Sequence, residues 1–402
     1  MPGMPLFEKW KRSSVESKKV AAAFVIAKLL VISVGIIATF LIPAEITGRI
    51  HVTDNEFLNA WAQYDARAYL DIAENGYNYD FLGIGNMHFY PLYPLLIAAL
   101  SFIGAPLAAF IIANVASVLS VAVMYIIVKE EFGEKIAAKA SVFLVFFPTA
   151  FYMTAMYTES LFLLLSLLVF WYARKGNWPA VALFGFLVSL TRIQGVFLFL
   201  PAVYLYLSSR GFSFRRAFSN PINQARKFNR NLLLFIAFPL APLVLSLYQY
   251  ATFGNFFAQF KSVAAWGKTF SPPWEGFVQL FTALVTDTSV INLSYHAFNL
   301  FMIIFFTFIL WKSYTFLRKD YFIYMFVSYV ILFFGPNLFG FARYIMVLFP
   351  AYITMSLLSE KSPRWKYAFY ALYAVFIVVM VASIVLHVNE RVHIGLLFDP
   401  IL

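Results

Sequence analysis

The sequence contains no cysteine, which excludes disulfide bonds, thiolate metal sites and cysteine nucleophiles. Its five histidines form neither an HExxH motif nor a pair at metal-binding spacing. The phosphate-binding patterns GxxxxGK(S/T) and GxGxxG are absent as well. These absences argue against a histidine-built metal site and a nucleotide-driven machine, and we expect no cofactor and no metal ion.

Charged residues are also scarce, because they make up 12% of the 402 residues, about half the usual fraction in soluble domains. Hydrophobic residues make up 62%, and several apolar runs reach the roughly 20 residues that cross a bilayer. The net charge of +11 comes from basic residues in short loops, where topology signals lie, so we expect no nucleic-acid partner. The composition predicts an all-α polytopic membrane protein in contact with membrane lipids.

The loop charges predict one transmembrane domain over residues 1–402 with about eleven crossings, the N-terminus cytoplasmic and the C-terminus outside. Pro91–Ile103 is about half a span long, so we expect it to dip into the membrane and return. The predicted regions outside the membrane are a cytoplasmic tail (1–19), a first outer loop with interfacial helices (43–104), a basic cytoplasmic loop (209–231) and a second long outer loop (253–290).

The stretch Trp61–Pro94 holds the highest density of carboxylates in the chain. Tyrosines are interleaved with its acids, and a proline-aromatic cluster, Phe89–Pro94, leads back into apolar sequence. A helix from about Glu56 to Glu74 would lie on the bilayer surface and hold Asp65 close to its apolar side. A solvated acidic loop is the alternative explanation.

Unusual polar residues gather on the predicted outer side of this topology. A carboxylate there can act as a base, and arginines can clamp the planar oxygens of a phosphate. Charged groups within or beside apolar spans are costly, so they indicate function. The candidates are Asp65, His88 and Tyr93 in the first outer loop, Glu159 in the next outer turn, Arg192 in a polar break between two short apolar segments, Lys261 and Lys268 in the second long loop, and Arg343.

Each candidate also has a structural explanation. Glu159 can cap a helix N-terminus, where the helix dipole favours an acid. Arg192 and Arg343 can reach towards the membrane surface or pair with Glu159. His88 can hydrogen-bond a neighbouring tyrosine, and Trp266 can belong to the aromatic belt at the membrane interface. Asp65 is the residue that these explanations account for least well.

The order of several short motifs resembles the GT-C superfamily of glycosyltransferases that use polyprenyl-phosphate sugars. Within it the chain is most similar to the PIG-V (GPI mannosyltransferase 2) family of mannosyltransferases. The resemblance rests on five stretches: DARAYLDIAENGY at Asp65–Tyr77, FYPLYP at Phe89–Pro94, YTESLF at Tyr157–Phe162, SLTRIQG at Ser189–Gly195, and a looser match from Phe253 to Trp266. The chain has Tyr64 where a tryptophan usually precedes the aspartate, and Ala68 where some members carry a histidine.

The resemblance implies a GT-C fold and an inverting transfer of a hexose, mannose in this family. The donor would be a dolichyl- or polyprenyl-phosphate sugar, and the acceptor would be lipid-linked or a glycan. Asp65 would be the general base. Arg192, Arg343, Glu159, Lys261 and Lys268 would bind the donor phosphate or sugar, and Tyr64, Tyr69, His88, Tyr93 and Trp266 would line the substrate site.

Two other classes remain open at this stage. A lipid or sugar transporter or flippase would place its charges near the middle of the membrane and often contains an internal repeat. A scaffold subunit would use the same fold without catalysis, and an accessory membrane subunit is compatible with the transferase hypothesis. We expect the active face to be extracytoplasmic or luminal.

Overall fold

The computed structural model describes residues 14–42, 50–213, 219, 222–223, 227–267 and 269–389. Most of the predicted cytoplasmic tail, the start of the first outer loop, much of the basic loop and Lys268 lie outside the described residues. Within them, the backbone forms α-helices and short 3-10 turns, and no strand occurs.

The helices are numbered here in chain order over the described residues. They are α1 (Val15–Leu41), α2 (Glu56–Trp61), α3 (Asp65–Asn75), α4 (Leu92–Ala99), α5 (Ala105–Phe132), α6 (Glu134–Val145), α7 (Glu159–Arg174), α8 (Trp178–Thr191), α9 (Phe199–Ser209), α10 (Ala237–Phe253), α11 (Ala258–Ala265), α12 (Glu275–Thr286), α13 (Val290–Phe316), α14 (Lys319–Val330), α15 (Phe341–Met346), α16 (Pro350–Lys361) and α17 (Pro363–Val388).

Five helical segments of the described chain are long and apolar enough to cross a membrane. The predicted all-α membrane architecture is therefore confirmed, and the chain is an integral membrane protein. The other apolar helices are shorter, so the expected number of about eleven crossings remains a prediction. The five segments are α1, α5, Arg230–Phe253, α13 and α17.

The first predicted outer loop folds differently from the sequence-based expectation. One helix was expected from about Glu56 to Glu74, but the chain forms α2 and α3 with a break between them. At the break Tyr64 has φ +54° and ψ −122°, a conformation that residues other than glycine rarely adopt. Since a right-handed helix cannot continue through such a residue, α3 begins at Asp65.

The half-length segment after this loop is a short helix, as its length indicated. The eight residues of α4 rise about 12 Å, well short of the roughly 30 Å of a bilayer core. Gly104 follows with φ +92°, and α5 then starts with Pro106 in its first turn, where proline is favoured.

The packing of the long helices fixes the position of α2 and α3. α1 packs against α6 and α17, while α5 packs against α6 and α7, and α7 packs against α8. The fully buried ring of Trp61, at the end of α2, lies on α1 at Gly35. A Cβ atom at Gly35 would come within 2.5 Å of that ring, so the close approach of α2 to α1 requires glycine there.

Candidate functional site

Four charged residues from distant parts of the chain form a continuous ion-pair network, which we call the Asp65 network: Asp65, Glu159, Arg192 and Arg343. Nη1 of Arg343 donates to Oδ2 of Asp65 at 2.7 Å, and Nε of Arg343 donates to Oε1 of Glu159. Nη1 of Arg192 donates to the same Oε1 at 2.7 Å. One guanidinium group therefore joins both acids, and the four formal charges cancel.

Exposure differs among the four side chains. Glu159 is fully buried, Arg192 and Arg343 are 10% and 12% exposed, and Asp65 is 23% exposed. Because a buried charge is costly unless it is paired, these contacts keep Glu159 and both arginines ionised. Oε2 of Glu159 is buried and has no hydrogen-bond partner among the described residues. The network thus presents a carboxylate at its more exposed edge and holds its positive charges behind that carboxylate.

Helix ends explain why these residue types lie where they do. Asp65 and Glu159 are the first residues of α3 and α7, where the helix dipole favours an acid. Arg192 directly follows α8, where the dipole favours a cation. Of the explanations offered for Glu159, pairing with the arginines describes its geometry, whereas its side chain makes no capping hydrogen bond at the start of α7.

Tyrosine rings surround the guanidinium groups. Arg343 lies over the rings of Tyr157 and Tyr152, with its Cζ 4.5 and 5.0 Å from the ring centres, and Arg192 lies 5.1 Å from that of Tyr344. Contacts of this kind between a cation and an aromatic face are attractive. The Tyr157 hydroxyl also donates to the backbone oxygen of Gln63 at 2.8 Å. The turn before α7 is thereby tied to the segment that leads into Asp65.

Two of the predicted lining tyrosines pack against each other beside the network. The ring of Tyr69 meets that of Tyr93 edge-on, with centroids 5.3 Å apart, and its hydroxyl lies 3.5 Å from Oγ1 of Thr158. Burial, and then the negative charge of Asp65, raise the pKa of Tyr69 well above its ordinary value, so this hydroxyl stays protonated. The Tyr93 hydroxyl donates to the Ala109 backbone oxygen at 2.8 Å and thus anchors α4 to α5.

Other candidates form a second contact region that joins the two long loops. Nδ1 of His88 lies 2.9 Å from Oγ of Ser262, and Nε1 of Trp266 donates to the backbone oxygen of Gly85 at 2.9 Å. Lys261 is exposed on α11 and takes no part in the ion pairs of the Asp65 network. Lys268 lies outside the described residues.

Comparison with known families now identifies the chain. The sequence matches the mannosyltransferase (PIG-V) family over residues 36–280, more than half of its length. The chain belongs to the PIG-V family. The matched region includes Asp65, Glu159 and Arg192 and ends before Arg343. Membership of this family supports the assignment of the chain as a glycosyltransferase. The resemblance predicted from the short motifs is thereby confirmed.

No curated protein sequence matches this PIG-V family member. Solved structures similar to it include the oligosaccharyltransferase of Archaeoglobus fulgidus in its apo form, with TM-score 0.49, 13% identity and coverage of 95% of this chain and 56% of the other. The same enzyme, AglB, in complex with an inhibitory peptide and a dolichol-phosphate matches with TM-score 0.47, 13% identity and coverage of 94% and 56%. This chain therefore spans about half the length of that enzyme, and so distant a likeness says nothing about its substrates.

In this PIG-V family protein a lysine that the motifs did not indicate supports the turn before α7. Nζ of Lys28, midway along α1, donates to Oδ1 of Asn114, the backbone oxygen of Met153 and Oγ1 of Thr154, each at 2.8 Å. The sequence did contain a signal, since Lys28 is the sole charged residue in the apolar run Val20–Ile42.

Groups of His, Asp and Glu side chains that could hold a metal ion do not occur among the described residues, and the sequence has no cysteine. The acids of the Asp65 network are instead occupied by guanidinium groups. Metal independence nevertheless remains a prediction, since a metal can also enter with a substrate phosphate.

Proposed function

We propose that this protein is an inverting glycosyltransferase that moves a hexose, mannose by family, from dolichyl or polyprenyl phosphate to an acceptor hydroxyl. The acceptor is a lipid-linked sugar or a glycan at the extracytoplasmic or luminal face. The observation that carries this proposal is the Asp65 network, in which a partly exposed carboxylate is backed by two buried arginines. Membership of the PIG-V family supports the choice of reaction.

In this reaction Asp65 is the general base. Its carboxylate takes the proton from the acceptor hydroxyl, within a hydrogen-bond distance of about 3 Å, as the hydroxyl oxygen attacks the anomeric carbon. The new glycosidic bond forms on one face of the sugar while the bond to the phosphate oxygen breaks on the other. The lipid phosphate leaves with that electron pair. The negative carboxylate also stabilises the positive charge that develops on the sugar ring.

The charge balance of the network suits this step. Two acids and two arginines give no net charge at rest, but protonation of Asp65 leaves an excess charge of +1. That positive charge appears as the leaving phosphate gains its negative charge, so Arg343 and Arg192 can stabilise the phosphate when stabilisation is needed. Lys261 and Lys268, on the second long loop, are the lesser candidates for the same role.

Glu159 has two tasks in this mechanism. Its Oε1 receives both guanidinium groups and so fixes the spacing of the arginines. Its Oε2, buried and without a partner among the described residues, is suited to a hydroxyl group of the donor sugar. A buried acceptor without a partner is costly, so a bound hydroxyl would lower the free energy of the site.

The test is sugar transfer in nanodiscs from radiolabelled polyprenyl-phosphate-mannose, with a native lipid extract as the acceptor. Wild type, Asp65→Asn and the matched control Glu74→Gln, an exposed acid on the same helix, are compared. We expect Asp65→Asn to lose at least about 10³-fold in rate while still binding donor, and Glu74→Gln to retain full rate. Full activity of Asp65→Asn would show that Asp65 is not the general base. If the wild type transferred no sugar, that result would contradict the reaction class and favour transport.

A further inference from the structure

A histidine at the end of the last described helix lies inside an aromatic cluster. His387 is 3% exposed, and its ring is surrounded by four others. The ring centroids of Tyr64, Phe151, Tyr152 and Tyr157 lie 5.4, 5.2, 5.3 and 5.7 Å from that of His387. We call these five residues the His387 cluster.

The cluster touches the Asp65 network on two sides. Tyr64 directly precedes Asp65 and carries the strained backbone from which α3 starts. Tyr152 and Tyr157 hold the guanidinium group of Arg343. The imidazole therefore contacts the residue that directly precedes the proposed base. A single tyrosine ring separates it from Arg343, the arginine that binds this base.

The imidazole has hydrogen-bonding capacity that the described residues leave unused. Its Nε2 is buried and has no hydrogen-bond partner among the described residues. Oδ1 of the fully buried Asn389, two residues further on, likewise has no hydrogen-bond partner among the described residues. Unsatisfied buried polar atoms are costly and rare in folded proteins, and a phenylalanine would fill an aromatic cluster without this cost. The Nε2 of His387 is therefore available to hydrogen-bond a ligand.

The chemistry of the cluster suits a hydroxyl group as the ligand. The positive charge of Arg343 lies against two of the same tyrosine rings, and its guanidinium group is already paired with Asp65 and Glu159. An imidazole nitrogen can donate a hydrogen bond to a hydroxyl group or accept one from it, whichever tautomer is present. Aromatic faces around a few polar atoms are typical of small-molecule sites.

We propose that the His387 cluster is a binding subsite for the acceptor sugar, in which Nε2 of His387 hydrogen-bonds a hydroxyl next to the reacting one. This inference rests on the proposed function, since the acceptor is the substrate that meets Asp65. Tyr64 and Tyr152 are half-buried, so the cluster reaches the surface at these rings.

The experiment uses the full chain in nanodiscs, radiolabelled polyprenyl-phosphate-mannose as the donor, and increasing amounts of native lipid extract as the acceptor. His387→Phe and His387→Gln are compared with Tyr373→Phe, a control on the same helix whose hydroxyl donates to the Phe143 backbone oxygen away from the network. Three quantities are measured: the extract and donor concentrations that give half-maximal transfer, and the slow release of mannose to water without extract. Thermal unfolding reports whether each variant is folded.

We expect His387→Phe to require at least about tenfold more extract, as loss of one hydrogen bond predicts, with the donor requirement and mannose release unchanged. His387→Gln, which keeps an amide nitrogen, should recover most of the loss, and Tyr373→Phe should match wild type. An unchanged extract requirement in a folded His387→Phe overturns the subsite alone. A parallel loss of transfer and mannose release also overturns it, because that result indicates a positioning role. If wild type neither transfers nor releases mannose, the proposed function fails and the subsite fails with it.

Discussion

Two ion-pair networks lie at opposite ends of α7. The Asp65 network includes Glu159, the first residue of this helix, and the second network is built on Arg174, its last residue. We call the second set the Arg174 network: Arg174, Glu131, Asp320 and Arg318. Arg174 donates to Asp320 Oδ2 at 2.7 Å and also to Glu131, and Arg318 approaches Asp320 at 3.3 Å. Both networks contain two acids and two arginines, so charge balance alone does not identify a functional site.

The two networks differ in which charge reaches the surface. In the Arg174 network the most exposed member is a cation, Arg318, with 57% of its side chain exposed, whereas its acids Asp320 and Glu131 are 1% and 18% exposed. In the Asp65 network the most exposed member is the acid. Strain also separates them, since Tyr64, beside Asp65, has a positive φ and no member of the Arg174 network does. An accessible acid next to a strained residue is typical of a reactive site, whereas a buried acid between helix ends holds the helices together.

The largest effect that would test this contrast is that of Asp320→Asn. The substitution removes one of the two acids paired with Arg174, the one that is 1% exposed, so we expect the protein to lose about 3–5 kcal/mol of stability. The rate of transfer per folded molecule should stay within about twofold of wild type. Asp65→Asn should instead lose the rate of transfer and keep most of its stability. Thermal unfolding in detergent and the nanodisc transfer assay measure the two quantities. If Asp320→Asn were stable and inactive, the division between the networks would be wrong.

A second test exchanges the central cation of each network for lysine. Arg343→Lys keeps the charge but loses the fork that reaches Asp65 and Glu159 together. We expect the rate of transfer per folded molecule to fall about 100-fold, equivalent to about 2.7 kcal/mol. Arg174→Lys should lower the unfolding temperature and leave the rate of folded protein unchanged. Equal losses of rate in both variants would contradict a special role for Arg343.

The sequence predicted what depends on local pattern. The long apolar runs predicted the helical membrane class, and short motifs in a fixed order predicted the PIG-V family. Both kinds of signal lie within short contiguous stretches of sequence. The same motifs drew attention to Asp65, Glu159 and Arg192, whose acids lie at helix starts, where local preference places them.

Features that depend on distant contacts were not predictable. The break before Asp65 was missed because Tyr64 carries no glycine or proline signal, and its conformation is held by tertiary contacts. These include the ring of His387 and the bond from Tyr157 to the backbone of Gln63. Arg343 was a candidate, but its partner Asp65 lies 278 residues away, and no periodicity reports such a pairing. Lys28 had a signal, a lone charge in an apolar run, that the motif-based reasoning did not use.

Lys28 provides an intermediate test, because it supports the Asp65 network from a distance. Lys28→Met removes the bonds that hold Met153 and Thr154, and this turn also carries Tyr152 and leads into α7. We expect the rate of transfer to fall about tenfold, because the rings under Arg343 lose their support. Lys19→Met, on the same helix but with a 60% exposed side chain, is the matched control and should behave as wild type. An unchanged rate in Lys28→Met would show that the turn is held by its other contacts.

The smallest expected effect isolates a single hydrogen bond between the two sides of the Asp65 network. Tyr157→Phe keeps the ring under Arg343 but removes the hydroxyl that donates to the backbone oxygen of Gln63. Loss of one such bond costs about 1 kcal/mol, and since it restrains the segment that leads into Asp65, we expect about a fivefold loss of rate. Tyr321→Phe is the counterpart in the Arg174 network, because the Tyr321 hydroxyl donates to Glu131 and Arg174 lies over its ring. That variant should lose a similar amount of stability and no rate. Equal effects of the two substitutions on the rate of transfer would contradict a functional role for the Tyr157 hydrogen bond.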